Sequence, residues 1–236
     1  EGNDTDGNMC GSAVSVNGTG ATFTLNGGEI RQNGASYGAV MVRTGAFDMY
    51  GGKITGNTAR NSGGGVVVTQ GIFTMHDGEI SENTAAANYG GGIYINNAGS
   101  IILNQGTICK NTAKKYGGGV YVDHASANFC LSGAIIDENS ATSGGGGVAI
   151  AKCKSAVMKD GSIKNNKGYT TTTIPSSGSL GGGIYLAASG QTFEMSGGEI
   201  IDNTARNGAE ICVQSGATAA TVKYSGGIIQ CNKAVA

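Results

Sequence analysis

The sequence predicts an all-β chain wound as a solenoid of about eight three-strand coils, and three observations predict it. A motif returns eight times, in its fullest form Phe-x-Met-x-Gly-Gly-Glu-Ile-x-x-Asn-Thr-Ala followed by Gly-Gly-Gly-Val-x-Val. Its closing residue falls at Asn33, Asn57, Asn83, Asn111, Asn139, Asn166, Asn203 and Asn232, at spacings of 24, 26, 28, 28, 27, 37 and 29 residues. A period in that range is the signature of a solenoid. Within each period the apolar residues alternate over three positions, as in a strand with one buried face, and show no helical spacing. Gly makes up 44 of 236 residues, against a usual share of about 7 %. These Gly occupy fixed places in the repeat, as corners do.

The first strand of each coil follows the Gly cluster. It reads Val14-Ser15-Val16, Val40-Met41-Val42, Val66-Val67-Val68, Ile93-Tyr94-Ile95, Val120-Tyr121-Val122, Val148-Ala149-Ile150, Ile184-Tyr185-Leu186 and Ile211-Cys212-Val213. The second is the Phe-x-Met segment, from Phe23-Thr24-Leu25 to Val222-Lys223-Tyr224, whose middle position tolerates charge (Asp48, Glu194, Lys223). The third is a very short strand around Ile30, Ile54, Ile80, Ile108, Ile136, Ile163, Ile200 and Ile229. Each strand pairs with its counterpart one coil away, about 4.8 Å along the axis, so eight coils give a rod of roughly 38 Å. The eight Asn read as a structural ladder: Asn tolerates left-handed corners, and its amide bonds the Asn above and below. Residues 1–13 read as a lead-in and 14–236 as a single domain. Lys167 to Leu180 is a loop insertion that accounts for the spacing of 37.

A net charge of -1 gives no electrostatic footprint for nucleic acid, and no apolar run approaches the ~20 residues of a membrane span. The chain opens on Glu1 rather than Met, which fits a removed signal peptide or a segment of a longer chain. Cys10, Cys109, Cys130, Cys153, Cys212 and Cys231 form no CxxC pair and have no His at zinc spacing. They leave two readings open, disulfides in an oxidising extracellular setting or buried or free thiols. No metal or cofactor site is expected.

Gly27-Gly28-Glu29-Ile30 to Asn33, Gly51-Gly52-Lys53-Ile54 to Asn57, and Gly197-Gly198-Glu199-Ile200 to Asn203 resemble the repeats of the right-handed parallel β-helix superfamily. The resemblance is to the passenger and adhesin-like regions of microbial surface proteins, and covers nearly the whole chain. It implies a right-handed parallel β-helix at a cell surface or outside the cell. Its partners would be itself, another surface protein or a glycan.

Three places carry functional expectations. Outward Tyr94, Tyr121 and Tyr185 on the first strand, with Tyr37, Tyr89 and Tyr116 before the Gly clusters, gather on one side. Such a face suits protein contact or sugar stacking, and equally suits cross-strand support of the sheet. The end coils, with Val14 and Val16 at one end and Ile229 and Asn232 at the other, carry no capping helix. They are expected to stack head to tail into a filament, with Cys10 and Cys231 near the joint. The rival reading is a polysaccharide lyase or hydrolase, or a glycan-binding module. It uses the corner of Asn96, Asn97, Asp123, His124, Lys152 and Lys154, where a carboxylate, an imidazole and amines fall within two rungs. The chain is read as non-enzymatic, with no catalytic residue assigned.

Overall fold

The computed structural model describes residues 11–171, 178–187, 190–214 and 219–231. Among them every regular element is a strand and every strand pairing is parallel. Coils 1 to 8 begin at the first strands Val14–Val16, Val40–Val42, Val66–Val68, Ile93–Asn96, Val120–Asp123, Val148–Lys152, Ile184–Leu186 and Ile211–Val213. These eight strands form the first sheet in chain order. The pairing puts like on like: Val14 opposes Val40, Val40 opposes Val66, and the column runs without slip to Ile211.

The other two predicted strands do not lie on separate faces. The Phe-x-Met and Ile segments belong to one 14-stranded sheet. In coils 5 and 6 they run together as single ten-residue strands, Asn128–Asp137 and Ser155–Lys164. In these two coils a single Gly, Gly133 or Gly161, lies within the strand, and the pairing shifts register there. The third sheet lies beyond the Asn, in two-residue strands Gly34–Ala35, Thr58–Ala59, Thr84–Ala85, Thr112–Ala113 and Ser140–Ala141. Isolated bridges continue it through Lys167 to Thr204.

The sharp corner between the second and third sheets is made by the residue before each Asn. Gln32, Glu82, Lys110, Glu138, Asn165 and Asp202 have φ of 52 to 57°, and Gly56 has 63°. The left-handed position is therefore one residue earlier than the sequence reading placed it. The Asn itself is left with ordinary φ and a side chain that points inward.

The ladder is saturated. The N–H of Asn139 and one proton of its Nδ2 go to Asn166 Oδ1 at 2.9 and 3.0 Å. The other Nδ2 proton goes to the carbonyl of Ile108 on the preceding coil, at 2.9 Å. Asn139 Oδ1 in turn accepts the N–H and Nδ2 of Asn111. The same pattern links Asn33 through Asn203, and each Asn from Asn83 to Asn166 is fully buried. Asn232 lies outside the described residues.

The core is one continuous cluster of stacked columns. Phe23, Phe47 and Phe73 stack face to face with ring centroids 5.0 and 4.7 Å apart. The Gly triplets close the coils. A Cβ on Gly91 would stand 2.6 Å from the backbone N of Thr112, and one on Gly92 would stand 3.1 Å from Asn111 Nδ2. The second Gly lets the chain lie on the third sheet, and the third makes room for the ladder amide.

Candidate functional site

Five of the six tyrosines, Tyr89, Tyr94, Tyr116, Tyr121 and Tyr185, pack against one another on the outer side of the first sheet, and Tyr37 stays outside that cluster. Tyr89 stacks on Tyr121 of the next coil at 4.4 Å, and Tyr116 stacks on Tyr185 at 5.3 Å. Tyr116 spans two coils because coil 6 presents only Ala149 between them, and Ala149 is buried beneath the rings. Tyr94 tilts against Tyr121 at 5.9 Å. The result is a second, smaller apolar cluster outside the main core, with Leu180 and Cys212 at its margin.

This corrects one expectation. Tyr121 and Tyr185 are buried, so the first-strand column that faces away from the core does not face solvent. Period two only says that a side chain leaves the core; a ring from the preceding corner then covers it. Tyr89, Tyr94 and Tyr116 are half-buried, and Tyr37 is exposed. Burial holds the Tyr121 hydroxyl well above the usual phenol range, with the Asp123 charge adding to it. Burial pushes Tyr185 up to about 12, and its hydroxyl donates to Gln214 Oε1. Tyr94 is raised by burial and by Asp123, against a hydrogen bond from Asn96. All three stay protonated donors at neutral pH.

The rival corner is partly assembled. Asn96 opposes Asp123 on the next rung, and Asp123 opposes Lys152 across a register shift that skips Ala151. Burial raises the pKa of the Asp123 carboxyl, and the Lys152 and His124 charges pull against that rise. His124 is engaged in its own turn, its Nδ1 accepting the N–H of Ser126 at 3.1 Å. Among the described residues no ion pair within 4.0 Å joins Asp123 to Lys152 or Lys154. Nor does any group of three or more His, Cys, Asp or Glu lie close enough to hold a metal ion. Among the described residues no helix is long and apolar enough to cross a membrane.

Both ends of the 167–180 insertion are anchored. Lys167 bridges Ser140 and Thr204, Thr170 Oγ1 lies 3.1 Å from Thr142 Oγ1, and Leu180 bridges Gly144 and Asn207. A polar groove of about 410 Å³ opens beside it, lined by Glu138, Ser140, Asn165, Lys167, Tyr169, Thr170 and Thr171. Residues 172–177 lie outside the described residues, as does Cys10.

The two axial faces differ. At the first coil Val14, Phe23 and Ile30 are half-buried and Val16 is buried. At the eighth, Ile211 and Val222 are likewise half-buried on the core, but Val213 is 45 % exposed, Tyr224 54 % and Ile229 40 %. Among the described residues, the outer strands of both the first and second sheets are unpaired along one edge at each end. Cys231 is exposed beside the last strand, whereas Cys109, Cys130, Cys153 and Cys212 are half-buried free thiols in different columns. The thiols of Cys109 and Cys153 are pushed up to about 11 by burial, which makes them poor nucleophiles.

With the stacked coils and their columns established, the family model for a right handed beta helix region matches residues 12–193. The chain belongs to the right-handed β-helix family. No curated protein and no solved structure matches it.

Two features of the β-helix escaped the sequence reading. On the second sheet Tyr50 stacks on His76 at 4.2 Å, with His76 Nε2 3.6 Å from Asp48 Oδ1. The signal was present, since Tyr50 and His76 hold the same position two residues beyond Asp48 and Thr74. The other is Glu210, a buried carboxylate at the corner before the last first-sheet strand. Its signal was the break in the Gly triplet at Gly208-Ala209-Glu210.

Proposed function

We propose that this β-helix is an extracellular structural or adhesive element, a stiff rod whose copies stack head to tail into a filament. The observation that carries this reading is the contrast between the two axial faces. The eighth coil leaves Val213, Tyr224 and Ile229 open in the columns that begin with Val16, Leu25 and Ile30 in the first coil. Unpaired strand edges beside open apolar columns recruit another parallel coil. A second copy's first coil supplies one with matching strands and matching side chains. Identical ends joined in this way form a heterologous contact that does not close, so it propagates. The tyrosine cluster then stiffens one side of the rod, and Tyr37, Tyr89, Tyr94 and Tyr116 remain accessible for lateral contact with protein or glycan.

The test is the mass in solution over a concentration series, for the native chain and for Val213→Asp with Ile229→Asp. Both positions are exposed, so the charges are expected to leave the fold intact. The reading expects mass to rise with concentration in the native chain and to stay monomeric in the variant. A native chain that is monomeric throughout, or a variant that assembles equally well, contradicts it.

The second reading, a polysaccharide lyase or hydrolase, is favoured by the raised carboxyl of Asp123 opposite Lys152 on the next rung. Cleavage of a polysaccharide that is lost in Asp123→Ala would establish it in place of the structural reading.

A further inference from the structure

Each interior rung of the ladder gives two donors, its backbone N–H and one Nδ2 proton, to the Oδ1 of the Asn one coil on. Asn203 gives the same two donors to a carboxylate. Its N–H reaches Glu210 Oε1 at 3.2 Å and its Nδ2 reaches Oε2 at 2.5 Å. Its other amide proton still bonds the Ile163 carbonyl at 2.8 Å, as every earlier rung from Asn57 on does to the coil before. Glu210 lies only seven residues on, on the corner that opens coil 8, and is 7 % exposed.

The glycine pattern changes at the same point. In coils 3 to 7 the second and third places of the corner are both Gly. A Cβ on Gly182 would stand 2.4 Å from the backbone N of Thr204, and one on Gly183 would stand 2.9 Å from Asn203 Nδ2. Coil 8 puts Ala209 and Glu210 in those two places. The shorter corner of coil 2 takes a methyl group at the third place, Ala39, but no coil before the eighth puts a charged side chain there.

We infer that Ala209 and Glu210 are a built-in stop for the ladder. The Glu210 carboxylate is the terminal acceptor, occupying both donors that an eighth Asn would otherwise satisfy. A carboxylate suits the position because it offers two acceptor oxygens and no donor to two N–H groups in a dry corner. Among the described residues the ladder therefore runs through seven asparagines and ends on this carboxylate. Where copies stack end to end (a consequence that rests on the structural reading above), the joint is carried by the first and second sheets and their apolar columns. The ladder does not cross it.

The test is amide hydrogen exchange at the Asn203 N–H in the full chain, comparing Glu210→Gln, Glu210→Ala and Asn232→Ala, with the Asn83 N–H as an internal reference. Gln keeps the volume of Glu but turns an NH₂ toward one of the two donors. The stop predicts that Asn203 protection falls roughly tenfold or more in both Glu210 variants, the scale of one lost charge-assisted bond. Asn83 is expected to be unmoved, and Asn232→Ala to match the native chain at both sites. Unchanged Asn203 protection in the Glu210 variants, an equal fall at Asn83, or a loss in Asn232→Ala would each overturn it. Because none of these readouts depends on assembly, failure of the filament reading leaves the stop intact, and the converse holds.

Discussion

The asparagine column and the tyrosine column both stack like on like along the same axis, but they are built on different physics. Each interior Asn side chain makes four hydrogen bonds in a dry corner and has no capacity left over. The tyrosines lie outside the sheet, pair at centroid distances from 4.4 to 6.2 Å, and skip a coil where Ala149 leaves room. One column is directional and intolerant; the other is a soft packing layer that accepts substitution and unequal spacing. The β-helix thus takes its register from the ladder and adds stiffness, together with an accessible rim, from the rings.

The largest expected effect breaks the first half of that contrast. Asn139→Ala removes the partner of the Ile108 carbonyl and of both Asn111 donors. Three buried groups left unsatisfied cost about 3–6 kcal/mol, read as a fall in chemical-denaturation midpoint. Asn33→Ala, at the half-exposed start of the ladder, is expected to cost about 1 kcal/mol in the same measurement. Equal losses at the two positions would mean that the ladder is not a chain of buried bonds.

A smaller loss belongs to the rings. Tyr121→Ala empties the centre of the outer cluster at a cost of about 3 kcal/mol, whereas Tyr121→Phe keeps the ring and costs under about 1 kcal/mol. Alkaline titration sharpens the same point. Because burial raises Tyr185 to about 12, its folded form holds the proton more tightly than the unfolded chain does. That contribution to stability is fully present below the unfolded phenol value of about 10 and is lost as pH rises toward 12. The ultraviolet difference between the native chain and Tyr185→Phe is therefore expected to develop only near pH 12. Development near 10 would show an open ring.

The smallest effect concerns the corner itself. Gly56 holds a φ of 63°, and a Cβ there would meet only Gln32 Cγ at an ordinary 3.9 Å, so Gly56→Ala carries only the left-handed penalty, about 1 kcal/mol in thermal denaturation. A loss several times larger would mean that the corner is sterically crowded after all.

The parts of this fold that repeat as side-chain chemistry were legible in the sequence. Val-x-Val, Phe-x-Met and Ile-x-x-Asn each put an apolar or amide group at a constant place, and each became a column. What was not legible repeats in the backbone or depends on neighbours. The Thr-Ala strands are two residues long, too short for an alternation, so the third sheet was misplaced onto the Ile segment. The left-handed position carries Gln, Gly, Glu, Lys, Asn or Asp, with no common chemistry to mark it. The burial of Tyr121 depends on Tyr89, 32 residues earlier, and the role of Glu210 emerges only once the ladder donors of Asn203 are in place. The tyrosine cluster could be located from spacing, but whether it was open or closed could not.

Electron microscopy of the purified chain tests the account most directly, because assembly and axial register are read together. Eight coils at about 4.8 Å predict filaments with an axial repeat of roughly 38 Å per copy and the 4.8 Å spacing running along the filament axis. Single short rods at every concentration, or filaments whose strand spacing runs across the axis, would contradict head-to-tail stacking of the β-helix.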